Sequence, residues 1–247
     1  MRGLILATGF LTVLPVGRNI QAAERDIGRS LGWFPTVGLI LGGIAAGWCY
    51  ILHLIGLNLA ADAAAVLSLV ILTGGLHWDG LMDTADGLLS YREREQMLAI
   101  MKDSSVGAMG VLAALCVLLL KIAFVFEIPM PDKLHCLVLA PVISRASMVY
   151  SITGFPYARK KGTGSIFAHH AGKSQLALAA VTAAAVTALL YRPWGLILLA
   201  LGFGFSLLVS RYVCRRLGGL TGDVYGAVTE LTEAAVIIMG ALVCQLF

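Results

Sequence analysis

A chain of 247 residues that is 59% hydrophobic and only 13% charged, with a mean hydropathy of +0.87 and a formal charge of +4, is not a soluble globular domain, since such domains carry about a quarter charged residues. The composition is that of a polytopic membrane protein. No basic motif interleaved with aromatics accompanies the small positive excess, so nucleic acid is not an expected partner.

In chain order, the first apolar run, residues 4–14, ends at Pro15 and is too short to span a bilayer. No small-residue cleavage site follows it before Arg18, so it reads as a half-buried or interfacial piece rather than a signal peptide. Stretches close to the ~20 residues of a spanning helix follow at 31–57, 60–78, 106–127, 134–153, 175–191, 194–213 and 224–247. The expected fold is all-α: an integral membrane bundle of about seven transmembrane helices. No repeat, linker or low-complexity tract divides residues 1–247, so one domain is expected. Gly38, Gly42, Gly43 and Gly47 read as helix-packing residues. Cys49, Cys116, Cys136, Cys214 and Cys244 show no C-x-x-C spacing and read as small buried hydrophobes.

Basic residues segregate. Arg2, Arg18, Arg25 and Arg29 precede the first span, Arg92, Arg94 and Lys102 follow the second, Arg159, Lys160, Lys161 and Lys173 follow the fourth, and Arg211, Arg215 and Arg216 close the sixth. Only Lys133 and Arg192 fall in the opposite loops. Because cytoplasmic loops collect Lys and Arg, the N-terminus is expected in the cytoplasm and the protein in the cytoplasmic (inner) membrane.

The second span ends in GGLHWDGLMDTADG, residues 74–87, which sets Asp79, Asp83 and Asp86 at i, i+4 and i+7. A carboxylate at a membrane boundary costs several kcal/mol unless paired, hydrated or bound to a cation. That spacing places all three on one face of a helix, where they repel unless something positive sits among them. Hard oxygen ligands of this kind suit Mg²⁺, which completes its shell with water and phosphate oxygens. The competing reading of each aspartate is a helix cap or a pair with Arg92 or Arg94. His77, in the same motif, could orient a carboxylate or ligate metal, or could simply bond backbone.

The same side of the membrane carries further polar segments. MKDSSVGAMG, residues 101–110, offers Lys102 to a phosphate and Asp103 as a proton acceptor or metal ligand; Lys102 could equally snorkel to water. In RRLGGLTGDVYGAVTELTE, residues 215–233, Gly218, Gly219, Gly222 and Gly226 permit close backbone approach to a ligand. Asp223, Glu230 and Glu233 follow there at helical spacing. Arg145 lies within the fourth span and is either a site residue facing a polar cavity or a counter-ion for one of these acids. Lys121 reads as a snorkelling residue nearer the far side. His169 and His170 sit in a basic, glycine-bearing loop, exposed to solvent or touching phosphate.

Taken together, GGLHWDGLMDTADG, MKDSSVGAMG and GGLTGDVYGAVTELTE resemble the cobalamin synthase family, the adenosylcobinamide-GDP ribazoletransferases, and the likeness runs over essentially the whole chain, including FLTVLP, FPTVG and KKGTG. The resemblance implies a phosphoryl transfer with Mg²⁺. In it, a hydroxyl of α-ribazole, or of its 5′-phosphate, attacks the corrinoid-side phosphorus of adenosylcobinamide-GDP and expels GMP. It assigns Asp79, Asp83, Asp86 and Asp223 to the metal. Lys102, Arg145, His77, Gly219, Thr221, Gly222 and Glu233 fall to substrate binding. Asp83, Asp103 and Glu230 are the catalytic candidates, with the proton acceptor open among Asp103, Glu230 and Glu233. Other corrinoid-assembly enzymes and a second copy of the chain are compatible partners beside the lipid bilayer. A CDP-alcohol phosphotransferase is the nearest rival, but Asp79-Gly80 is followed by Leu81, Met82 and Asp83 and lacks the Ala-Arg pair of that pattern. A cation- or proton-coupled transporter is the other rival. It is opposed by the clustering of acids at one interface.

Overall fold

The computed structural model describes residues 2–17, 20–159 and 162–246. Arg18, Lys160, Lys161 and Phe247, which enter the readings above, lie outside the described residues. Within them every regular element is a helix: α1 (Arg2–Leu11), α2 (Glu24–Ser30), α3 (Phe34–Leu54), α4 (Asn58–Leu72), α5 (Leu76–Leu88), α6 (Arg94–Ile100), α7 (Ala108–Glu127), α8 (Asp132–Gly154), α9 (Thr163–His170), α10 (Lys173–Leu190), α11 (Trp194–Leu217) and α12 (Gly222–Leu246). Six rods are long and apolar enough to cross a membrane, with α2 and α3 forming one of 31 residues. The bent pair α4 and α5 makes a seventh if counted as one span. The expected all-α membrane bundle is therefore what forms, and the short first helix has the length anticipated for residues 4–14.

Burial ranks the helices. In the most apolar window of α8, 83% of residues are buried, and in that of α12, 67%, against 17% for α10. The first two therefore form the axis of the bundle while α10 faces outward. α8 can be approached so closely because α3 presents glycine to it. A Cβ on Gly42 would stand 2.7 Å from the Val138 Cα, and one on Gly38 would stand 2.7 Å from the Pro141 carbonyl carbon. Gly43 and Gly47 differ from expectation, since neither would meet anything within 4 Å. They lie on the open side of α3 and do not pack.

One expected span is broken. The apolar run 60–78 is not a single rod: α4 ends at Leu72, Gly74 and Gly75 take φ of 60° and 71°, and α5 departs at 88°. Two successive residues in the left-handed region are affordable only for glycine, and they turn the chain while hydropathy stays high. The aspartate motif therefore occupies a separate 13-residue helix. At the far end of the bundle, buried Asp62 of α4 accepts two hydrogen bonds from Lys133 Nζ at 2.8 and 2.9 Å, and the Cys49 thiol lies 3.5 Å from the same carboxylate. Lys133, counted above simply as a loop cation, is thus an internal partner. All five cysteines are free, with Cys49 and Cys136 buried as expected and Cys116 exposed.

The two glycines on α3 give a direct check of this packing. Gly42→Ala should lower the thermal midpoint of detergent-solubilised protein through overpacking worth about 1–3 kcal/mol. Gly43→Ala should leave it unchanged or raise it slightly, because helix propensity favours Ala over Gly by about 1 kcal/mol. Equal destabilisation by both would contradict the α3–α8 contact.

Candidate active site

Four segments meet at one end of the bundle, and small residues bring them together. α5 lies across the start of α12, where Gly80 and Gly226 face each other's helices: a Cβ on Gly80 would stand 2.5 Å from the Asp223 carbonyl oxygen, and one on Gly226 would stand 3.2 Å from the His77 Cα. Gly218 ends α11 with φ of 70° and its N–H bonds the Cys214 carbonyl at 2.8 Å. The chain then runs beside residues 156–158. Leu220 N–H donates to the Pro156 carbonyl and Ala158 N–H to the Leu220 carbonyl, both at 2.8 Å. This two-bond zipper sets Arg159 against Asp223, with Nη1 2.9 Å from Oδ2. Thr221 caps α12, accepting the Val224 N–H at 3.3 Å and donating to Asp223 at 3.2 Å.

The three aspartates of α5 do share a face, yet their surroundings differ. Asp86 accepts the N–H groups of Gly107 and Gly110 at 2.8 Å each, so both its oxygens cap the start of α7. Both glycines stand so close to this carboxylate that a Cβ on either would collide with it. The carboxylates of Asp79 and Asp83 make no hydrogen bond or ion pair to another described residue. Asp83 is half-buried and stands among the negative charges of Asp79, Asp223 and Asp86, with the positive charge of Arg159 opposing them. Residues i and i+7 are also separated by about 10 Å along a helix axis, and both Asp86 oxygens already accept amides of α7. Among the described residues no group of three or more His, Cys, Asp or Glu side chains stands ready to hold a metal ion. Asp86 and Asp223 have found amides and a guanidinium, leaving Asp79 and Asp83 as hard-oxygen donors without a partner.

A cavity of about 240 Å³ opens between α5, α9 and the start of α12. Asp79, Asp223 and Gly222 are on its wall, and so is His77, which is only 2% exposed. Gly219 lies just outside, packed against Pro156 and Ala158. Lys102 and Asp103 are exposed in the segment before α7. Asp103 accepts the Ser105 N–H at 2.9 Å, and that backbone bond holds its carboxyl below the usual range, which makes it a weak proton acceptor. Arg94 does not reach the aspartates; its Nε donates to the Leu217 carbonyl at 2.6 Å and closes the end of α11. His170 lies at the end of α9 beside Glu24, 4.0 Å away.

Glu230, Glu233 and Arg145 come together elsewhere. Glu230 is seven residues beyond Asp223 and so about 10 Å deeper in the bundle. There Lys121 of α7 pairs with Glu230 and lies 2.8 Å from Glu233, Arg145 of α8 pairs with the other oxygen of Glu233, and Ser144 bonds the same carboxylate at 3.4 Å. All four charged groups are at most 2% exposed. Arg145 thus serves as a counter-ion, one of the two roles open to it. The expectation that Lys121 snorkels is overturned: its face of α7 is turned to α12, and the ammonium lies 5.3 Å from the centre of the Trp78 ring. Arg159 and Lys121 are the residues that sequence reading did not place at a site, the first because it counted only as a basic loop residue. The run of basic residues beside a glycine-bearing loop was the available signal for Arg159.

Comparison with known proteins adds a family. Residues 3–241 match the family described as Cobalamin-5-phosphate synthase. Relatives named adenosylcobinamide-GDP ribazoletransferase include one from Desulforamulus reducens, 49% identical over 236 residues (96% of this chain, 94% of the relative). Others come from Brevibacillus brevis, 41% identical over 244 residues (97% of each), and Geotalea daltonii, 40% identical over 233 residues (94% of each). No solved structure matches the chain.

Lys121→Met should leave two buried carboxylates short of a cation, at a cost of about 3–5 kcal/mol. The expected readout is a lower thermal midpoint and less folded protein recovered from membranes. Adding Glu230→Gln should recover part of the loss, because the uncompensated charge is then removed. A double variant as unstable as the sum of the singles would mean that Lys121 and Glu230 do not interact.

Proposed function

The chain belongs to the Cobalamin-5-phosphate synthase family, and from that premise we propose how its residues serve the transfer that completes cobalamin. The acceptor is α-ribazole or its 5′-phosphate, and the donor is adenosylcobinamide-GDP. The acceptor hydroxyl oxygen forms a bond to the corrinoid-side phosphorus, the bond from that phosphorus to the GMP oxygen breaks, and the hydroxyl proton leaves to a base or water. Such a transfer needs positioning and charge stabilisation more than covalent help from the protein.

The observation that supports this reading is Asp79 of α5 and Asp223 of α12 on the wall of one cavity, with Asp83 one turn further along α5 and the side chains of Asp79 and Asp83 unpartnered. Their chemistry fits Mg²⁺, which takes carboxylate and phosphate oxygens together. Asp79 and Asp83 would hold the ion, with Asp223 from the facing helix; bound there, it would neutralise charge on the diphosphate. Asp86 keeps α7 in place by capping it, so its contribution is to position the site. Arg159, whose Nη2 is buried without a hydrogen-bond partner, keeps one donor for a phosphate oxygen while Nη1 orients Asp223. Lys102 is free to approach the phosphates from the exposed loop. Glu230 and Glu233 are committed to Lys121 and Arg145 and hold the bundle beneath the site, and the tie to Ser105 weakens Asp103 as a base. Asp79 and Asp83 are then the carboxylates nearest the reaction with lone pairs to spare. The segregation of basic residues supports a cytoplasmic N-terminus, an active site on the cytoplasmic face and a location in the inner membrane.

Purified Asp83→Asn should release GMP from the activated corrinoid on the order of 10²-fold more slowly than the parent. It should also need more Mg²⁺, while chelator should silence the parent until Mg²⁺ is restored. Unchanged turnover and metal demand would remove Asp83 from the site. For the orientation, a reporter fused after Tyr91 should read cytoplasmic, and an external signal would reverse the assignment.

A further inference from the structure

The cavity beside the carboxylates has a second character that phosphate chemistry does not use. Its exposed side carries Asp79 and Asp223, while its inner wall is built by Phe10 of α1, Phe34 of α3 and Phe167 of α9, with Met148 and Ile152 of α8. The rings form one cluster: Phe10 and Phe167 are 4.6 Å apart between centroids, Phe34 and Phe167 5.8 Å, and Phe10 and Phe34 6.1 Å. Two buried polar groups on the lining have no hydrogen-bond partner, His77 Nε2 and the Tyr225 hydroxyl. These residues are only 2% and 4% exposed. A buried polar group left unpaired costs about 1–3 kcal/mol, so two such groups on residues of one lining leave a hydrogen-bonding need that a bound ligand can answer.

We propose that this cavity seats the base of the acceptor nucleoside, a flat, largely apolar two-ring heteroaromatic base with one free ring nitrogen, as in a benzimidazole. The inference rests on the transferase reading above and assigns a subsite within it. Three points of chemistry select this occupant. A volume of about 240 Å³ admits two fused rings and part of a sugar and excludes a corrin macrocycle. An aromatic wall favours a π-face, by stacking and edge contacts worth about 0.5–1.5 kcal/mol per pair beyond burial. Guanine, the other base in the reaction, presents several donors and acceptors on its edges and would leave most of them unpaired against Phe, Met and Ile, at about 1–3 kcal/mol each. A single ring nitrogen needs one hydrogen bond, and Tyr225 and His77 offer it. With the base at the aromatic end, the ribose lies at the carboxylate end, where its hydroxyl meets the phosphorus.

The test uses full-length protein in nanodiscs and α-ribazole as the probe, first by equilibrium dialysis without corrinoid, then in turnover. Phe167→Ala should weaken α-ribazole binding roughly tenfold or more. The KM for α-ribazole should rise in step while the KM for adenosylcobinamide-GDP stays within about twofold, since base stacking concerns the acceptor alone. Phe167→Leu, which keeps most of the apolar volume, and Tyr225→Phe, which removes only a hydroxyl, should give smaller losses in the same constant. Unchanged α-ribazole binding in all three variants would overturn the assignment. So would GMP binding that is lost in the same variants, because the cavity would then belong to the leaving nucleotide. Parent protein that binds α-ribazole in a Phe167-dependent way yet releases no GMP from the activated corrinoid would keep the subsite and remove the transferase reading.

Discussion

Two cations and two carboxylates neutralise one another deep in this bundle, and the rest of the structure is arranged around that pairing. Lys121 and Arg145 meet Glu230 and Glu233 where α7, α8 and α12 cross, with Trp78 of α5 covering the ammonium. Leaving any one of these charges alone in an apolar interior would cost several kcal/mol, so the three helices are held at one mutual register. The cluster is balanced, two positive groups to two negative, and exports no net charge to the site above it. The carboxylates at the end of the bundle are not balanced in this way. Asp223 has Arg159 and Asp86 has two amides, but the side chains of Asp79, on the cavity wall, and Asp83, one turn further along α5, are left with like charges nearby. A surplus of that kind favours a cation beside these carboxylates.

Much of this was legible from spacing, and the part that was not has a common cause. Intervals of four and three residues placed Asp79, Asp83 and Asp86 on one face, and an interval of seven placed Asp223 and Glu230 on another, because periodicity fixes azimuth. Periodicity says nothing about whether two residues on one face share a ligand, and about 10 Å of axial rise separates each pair at i and i+7. Glu230 and Glu233 therefore fall to a structural cluster, and Asp86 to a helix cap, though all read as members of one acidic set. Lys121 was misplaced for a related reason. A lysine in an apolar run snorkels when its face meets lipid, and only the packing of α7 on α12 shows that this face meets two glutamates.

The glycines divide along physical lines that composition does not reveal. Gly38 and Gly42 let α3 close on α8, and Gly80 with Gly226 let α5 close on α12, whereas Gly43 and Gly47 touch nothing. Gly107 and Gly110 act differently again, since their lack of a side chain lets the Asp86 carboxylate reach the first amides of α7. Each of these close approaches converts a small residue into a position for a charged one. The site's carboxylates are therefore placed by their neighbours' missing atoms as much as by their own helix.

The break between α4 and α5 explains how such a site can exist at a membrane boundary at all. A 15-residue helix spans about 22 Å, short of a hydrocarbon core of about 30 Å. Turning the chain there would normally strand carbonyls that lipid cannot satisfy. Here the last carbonyls of α4 are taken up: Gly74 N–H bonds the Ile71 carbonyl at 3.0 Å, Gly75 N–H bonds Val70 at 3.0 Å, Leu76 N–H bonds Thr73 at 3.2 Å, and Val13, just beyond α1, donates to Leu72 at 2.9 Å. The last of these bonds ties the short first helix to the turn, and α1 in turn supplies Phe10 to the cavity wall. One satisfied turn thus redirects the aspartate helix across the end of the bundle and anchors the element that closes the aromatic side of the same cavity. Relaxing either glycine toward ordinary helix would straighten α5 onto the axis of α4 and separate the carboxylates from Asp223, which is why an apolar run had to be interrupted where hydropathy shows no interruption.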